Sequence, residues 1–156
     1  MSFPAYQLFF EDVEIGQEWE SAARTITETD IINYAGLSGD YNPIHVDHTF
    51  AAKTPFRRTI AHGLLVFSVA SGLGLQSPPM RTIAFLGVRE WHMRSPVFPG
   101  DTIRIRGKVL EKIVRGRGRR GEIVWQRTIL NHEDKVIQEG RVITLVECRG
   151  QDAPES

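Results

Sequence analysis

From His62 to Leu75 the chain is apolar on every side of a helix, and that stretch narrows the folds open to it. Leu64, Leu65, Phe67, Val69, Ala70, Leu73 and Leu75 fall around the whole circumference rather than along one stripe. Such a helix must be enclosed by protein on most sides. His62, Gly63, Ser68, Ser71, Gly72 and Gly74 interrupt it, so it falls short of the roughly 18 continuous apolar residues of a membrane span. The small residues Ser68, Ala70, Ser71 and Gly72 are suited to the close approach of a sheet.

The second half of the chain is predicted to supply that sheet. Thr82 to Met93, Thr102 to Val114, Ile123 to Leu130 and Val136 to Val146 are rich in β-branched and aromatic residues, as strands are. The connections between them are too short to hold crossover helices, which predicts an antiparallel sheet. Glu18 to Thr27 reads as one strand more. Thr27 then caps a short helix that Gly39 ends. Asp47 to Lys53 reads as a second short helix, closed by Pro55. One apolar helix and about five strands in separate blocks indicate an α+β domain. It is expected to span residues 1–148, with a flexible tail over 149–156.

Composition removes several classes of function. The 19 basic and 19 acidic residues balance, which leaves no electrostatic footprint for nucleic acid. The single cysteine, Cys148, excludes an internal disulfide framework and an all-cysteine zinc site. The N-terminus has neither a basic head nor a long apolar run, so it does not read as a signal peptide. A soluble, cytoplasmic protein with no membrane partner is the expectation.

The chemistry concentrates in Gly39-Asp-Tyr-Asn-Pro-Ile-His45. Gly39 and Pro43 both resist a helix interior, so Asp40, Asn42 and His45 are predicted on irregular backbone between two helices. A carboxylate, an amide and an imidazole so close together make an acid–base set. The same run is also good turn chemistry, because Asp and Asn bond their own backbone and Pro fixes φ. Taken singly, these residues leave both readings open.

The run resembles the hydratase signature of MaoC-like dehydratases and (R)-specific enoyl-CoA hydratases. The likeness continues through Phe50-Ala-Ala, through Ile60-Ala-His-Gly-Leu64 and its helix, and to Phe98-Pro-Gly-Asp-Thr-Ile103. It implies a hot-dog fold, an antiparallel sheet wrapped around the long central helix. It implies that Asp40 and His45 form the catalytic pair for adding water to a trans-2-enoyl-CoA, giving an (R)-3-hydroxyacyl-CoA. It makes the Gly63 N–H the donor to the thioester oxygen, and matches Ser71 to a polar residue supporting the pair. A small residue chosen for packing explains Ser71 equally well. Asn42 orients the water or, more simply, forms the turn.

The resemblance further implies an acyl-CoA or acyl-carrier-protein substrate, no cofactor beyond that thioester, and a homodimer or higher homo-oligomer. The alternatives are a hot-dog thioesterase and a non-catalytic acyl-CoA-binding or regulatory subunit. His45, His48, Asp47 and His62 match no usual zinc spacing, so no metal is expected and His62 reads as a capping or packing residue. The run Arg115 to Arg120 reads either as a contact for nucleotide phosphates or an acyl-carrier protein or, as isolated charge runs usually do, as a solvated hairpin loop.

Overall fold

The computed structural model describes residues 7–150. The predicted tail begins with Arg149, which is tied down: its guanidinium lies 2.5 Å from the Asp12 carboxylate. Residues 151–156 of that tail lie outside the described residues.

After a 3-10 turn at Phe10–Asp12 come two short strands, β1 (Glu18–Glu20) and β2 (Arg24–Thr25). The sequence predicts a single strand here. The Ser21 hydroxyl breaks it by accepting the Ile105 N–H at 3.0 Å, in place of a backbone carbonyl. Helix α1 (Glu28–Ser38) starts as predicted. Thr27 Oγ1 accepts the Asp30 N–H at 3.1 Å, and Asp30 accepts the Thr27 N–H at 2.8 Å. Gly39 ends it at φ +76°, where a side chain would be strained.

Two single-turn helices come next, α2 (Pro43–Val46) and α3 (His48–Ala51). The predicted second helix is therefore shorter than expected, and α2 is an addition to the expected elements. Asn42 Oδ1 accepts the Ile44 N–H at 3.1 Å and Pro43 occupies the first helical position. Pro is well suited to that position, so the same residues that resist a helix interior begin a new turn.

Helix α4 (Gly63–Gly74) precedes β3 (Thr82–Met93), β4 (Thr102–Arg115), β5 (Arg120–Asn131) and β6 (Val136–Glu147). The sheet has six strands, ordered β1-β4-β5-β6-β3 with β2 also on β4, and its ladders are antiparallel. The basic run forms a 3-10 turn at Gly116–Gly118 between β4 and β5 and is exposed. Arg115 pairs with Glu122 at 3.1 Å.

Leu65, Val66 and Ala70 of α4 pack on Ile103, Ile105, Ile129 and Ile137 of the sheet. A second cluster gathers Phe10, Val109, Ile123, Trp125 and Val146 at the other end. Gly121 is required there, because a Cβ would overlap the Phe10 ring. The enclosure of α4 is incomplete within one chain. Leu64, Ser68, Gly72 and Leu75 form an exposed stripe. The small residues Ser68 and Gly72 thus face outward, not toward the sheet as expected. Among the described residues no helix is long and apolar enough to cross a membrane.

Candidate active site

Asp40 sits directly after the left-handed Gly39, where α1 stops. Its side chain is about half exposed, and its Oδ1 accepts the Asn42 N–H at 3.2 Å. His45 lies on α2 and is nearly buried, its side chain 11% exposed. It is therefore held on a helical turn, more rigidly than the irregular backbone predicted.

The tautomer of His45 is set by its partner. Nδ1 lies 2.7 Å from the Ile60 carbonyl oxygen, which can only accept, so Nδ1 carries the hydrogen. In the neutral ring Nε2 is then an acceptor, and it faces Asp40 Oδ2 across 3.9 Å. That gap is too long for a direct hydrogen bond and suits one small molecule touching both groups.

His62 is the residue that spacing alone undervalued. It is 3% exposed and stacks on the His45 ring, with centroids 3.8 Å apart and planes inclined by 28°. Its Nε2–H donates to the Asp40 carbonyl at 2.9 Å, while its buried Nδ1 has no partner. His62 is the N-cap of α4 without a side-chain capping bond. It is a packing residue that ties the α4 entrance to the Asp40 loop. Asp40, His45 and His62 each bring one ligand atom within 4.8 Å of the others, a grouping their spacing did not reveal. The other two groups weighed for a metal lie elsewhere. His48 pairs with Glu28 at 2.5 Å and Asp47 caps α3.

Gly63 is the first residue of α4, where an N–H has no partner inside the helix. Its carbonyl accepts from Gln138 Nε2 at 2.9 Å. Gln138 is 2% exposed and itself accepts the Trp91 indole N–H at 3.0 Å. A buried polar chain from β3 through β6 thus anchors the first turn of α4. Beside Gly63 lies a cavity of about 340 Å³, also lined by Ile60, Val66, Met93 and Gln138. A Cβ at Gly63 would overlap the Met93 thioether.

Among the described residues no hydrogen bond joins Ser71 to Asp40 or His45. Its hydroxyl donates to the Phe67 carbonyl at 2.9 Å, and it lines a separate cavity under the C-terminal half of α4. Asn42 serves as the cap of α2, which is the turn-forming role weighed from sequence.

Residues 11–128 match the family model of the MaoC like domain. An (R)-specific enoyl-CoA hydratase of Rhodospirillum rubrum is 36% identical over 147 residues, covering 91% of this chain and 94% of that protein. The protein MaoC of Klebsiella aerogenes is 36% identical over 110 residues. That alignment covers 70% of this chain and only 33% of the longer protein. A double hot-dog protein of Mycobacterium tuberculosis superposes with a TM-score of 0.81 at 20% identity, covering 96% of this chain and 47% of that one. The α+β arrangement of one helix on an antiparallel sheet is therefore a hot-dog fold.

Proposed function

The chain belongs to the MaoC-like domain family, and from that premise we propose that it adds water reversibly to a trans-2-enoyl-CoA to give an (R)-3-hydroxyacyl-CoA. The observation that carries this reading is the fixed tautomer of His45. With Nδ1–H held by Ile60, Nε2 is left to accept a proton 3.9 Å from the Asp40 carboxylate. A water between them touches two acceptors, each able to take a proton. Its oxygen attacks the β-carbon as one of the pair removes a proton. The α-carbon then receives a proton from the same pair, so the elements of water are added and nothing else is consumed. The Gly63 N–H stabilises the enolate-like thioester oxygen between these steps. The activity for which the R. rubrum relative is named supports the substrate class and the (R) outcome. We assign Ser71 to the acyl cavity rather than to the acid–base pair.

Purified protein should remove the enoyl absorbance of crotonyl-CoA at the same rate with and without a chelator. Release of free thiol would instead identify a thioesterase. If neither change occurs, a binding subunit is left, and a chelator-sensitive rate would assign a metal to Asp40, His45 and His62.

The smallest active unit in this reading is a homodimer. β3 is an outer strand of the sheet, and Ile83, Phe85, Leu86, Val88 and Met93 on it are exposed at 42–53%. A long apolar edge strand is normally covered, and pairing with a second copy is a common way. On the α4 stripe, Leu64 and Leu75 add exposed apolar surface that a second copy would also cover. Sedimentation at assay concentration should give a dimer, and an active monomer would overturn this.

A further inference from the structure

Arg127 occupies the worst place in the sheet for a cation. On β5, Ile123, Trp125, Arg127 and Ile129 alternate onto the inner face, and the other three are at most 1% exposed. Arg127 itself is 8% exposed. Its ladder neighbours are Gly107 on β4 and Gly140 on β6, and a Cβ at Gly107 would overlap the guanidinium. On the β4 side the backbone is thus cleared for this side chain, whereas Gly140 makes room for Trp91 of β3.

Among the described residues no carboxylate pairs with Arg127. A guanidinium has five N–H donors. One donates to the Ser77 carbonyl at 3.2 Å, and the Trp125 ring lies under the group at 4.7 Å. Burial alone pushes its pKa down to about 10, with no carboxylate among the causes. The group stays charged near neutrality, and an unpaired buried charge is costly.

The cavity of about 260 Å³ that Arg127 lines explains the arrangement. Its walls are mainly apolar, including Phe67, Leu75, Phe85 and Val142, with Ser71 and Thr144 also among them. Phe67, Ala70, Ser71 and Gly74 of α4 line it. They share a helix face with Gly63, at the i, i+4, i+7 spacing that defines one stripe. Trp91 is also in this wall, and through Gln138 it meets the space beside Gly63.

We propose that this cavity receives the far end of the acyl chain and that Arg127 binds a terminal carboxylate there, so that carboxyl-ended enoyl thioesters are preferred substrates. The assignment rests on the hydratase reading for how the chain arrives. An apolar wall suits the hydrocarbon body, and the planar guanidinium suits a carboxylate through paired hydrogen bonds. The guanidinium lies beside Gly74, at the opposite end of the 12-residue α4 from Gly63. That separation is roughly 16 Å of helix, so the preference should emerge only in longer chains.

The test compares enoyl-CoA pairs of equal length, one ending in methyl and one in carboxylate, across a series of lengths. The wild type should favour the carboxyl-ended member by ~10-fold or more in kcat/KM, the scale of one charge-assisted hydrogen bond. Arg127→Met should erase that preference by lowering kcat/KM far more for the carboxyl-ended substrate. Arg127→Lys, which keeps the charge, should retain part of it. Equal kcat/KM within every wild-type pair overturns the proposal, whether or not the variants fold. So does an equal loss on both members in a folded Arg127→Met protein.

If the wild type hydrates neither member, the hydratase reading has failed, and calorimetric titration with sodium decanoate still judges the cavity. Binding that Arg127→Met weakens ~10-fold or more supports the carboxylate site. No binding to the wild type overturns it. Decanoate binding without any kinetic preference overturns the assignment to substrate, because the carboxylate would then come from a free fatty acid.

Discussion

Replacing Gly63 with proline in a Met93→Ala background is expected to lower kcat by ~10²–10³, the scale for one lost oxyanion donor. The backbone is prepared for the change. Gly63 is the first helical residue and His62 before it sits at φ −59°, ψ 134°, the extended geometry that a following proline requires. The Gly63 carbonyl keeps its bond from Gln138, so the only polar group removed is the N–H. The second substitution is needed because a Cβ at Gly63 meets the Met93 thioether. For the same reason Gly63→Ala alone is not the mild control that sequence suggests, since its methyl group must displace that side chain. The matched control is Gly63→Ala with Met93→Ala, which retains the amide and should stay close to Met93→Ala itself. Single-turnover hydration with circular dichroism and sedimentation on all three proteins decides the matter. A folded, dimeric proline variant at the control's rate would place the oxyanion donor elsewhere.

Asp40→Asn and His45→Gln should each lower kcat by ~10² or more, the usual effect of a positioned acid–base group. Both replacements spare local structure. Asn keeps an oxygen to accept the Asn42 N–H, and Gln keeps an N–H to offer the Ile60 carbonyl. The lost capacity is proton transfer across the 3.9 Å gap. In the proposed mechanism the two groups act on one water, so the double variant should be little slower than either single one. Near-parental kcat in either folded single variant would end the paired mechanism. Two independent losses that multiply would show that the residues act in separate steps.

The outline of this protein was legible in its sequence wherever neighbouring residues decide the outcome. Strands β3 to β6 follow from their β-branched and aromatic composition, α4 from its all-round apolar run and α1 from its caps, and their ends fall close to the predicted ones. The Thr27–Asp30 cap and the left-handed Gly39 are contacts within a few residues. Errors arose where one side chain competed with the ladder, as Ser21 does against β4. They also arose where Asn42 and Pro43, read as breakers, opened a fresh helical turn.

The residue types of the proposed active site were also readable, since Asp40, His45 and Gly63 stand in an order that resembles the family signature. Their chemical states were not. The His45 tautomer is set by the Ile60 carbonyl, and His62 stacks on that ring from 17 positions away (62 − 45). Met93 closes on Gly63 from β3, and Gln138 holds the same residue from β6. Arg127 showed in sequence only as one more basic residue. Its inward direction comes from its place in the β5 alternation, and its lack of a counter-ion from what α4 and the neighbouring strands set around it. Local rules act through bonded neighbours and hydrogen bonds a few residues long, whereas protonation state, burial and clearance depend on groups that meet only when distant strands pair.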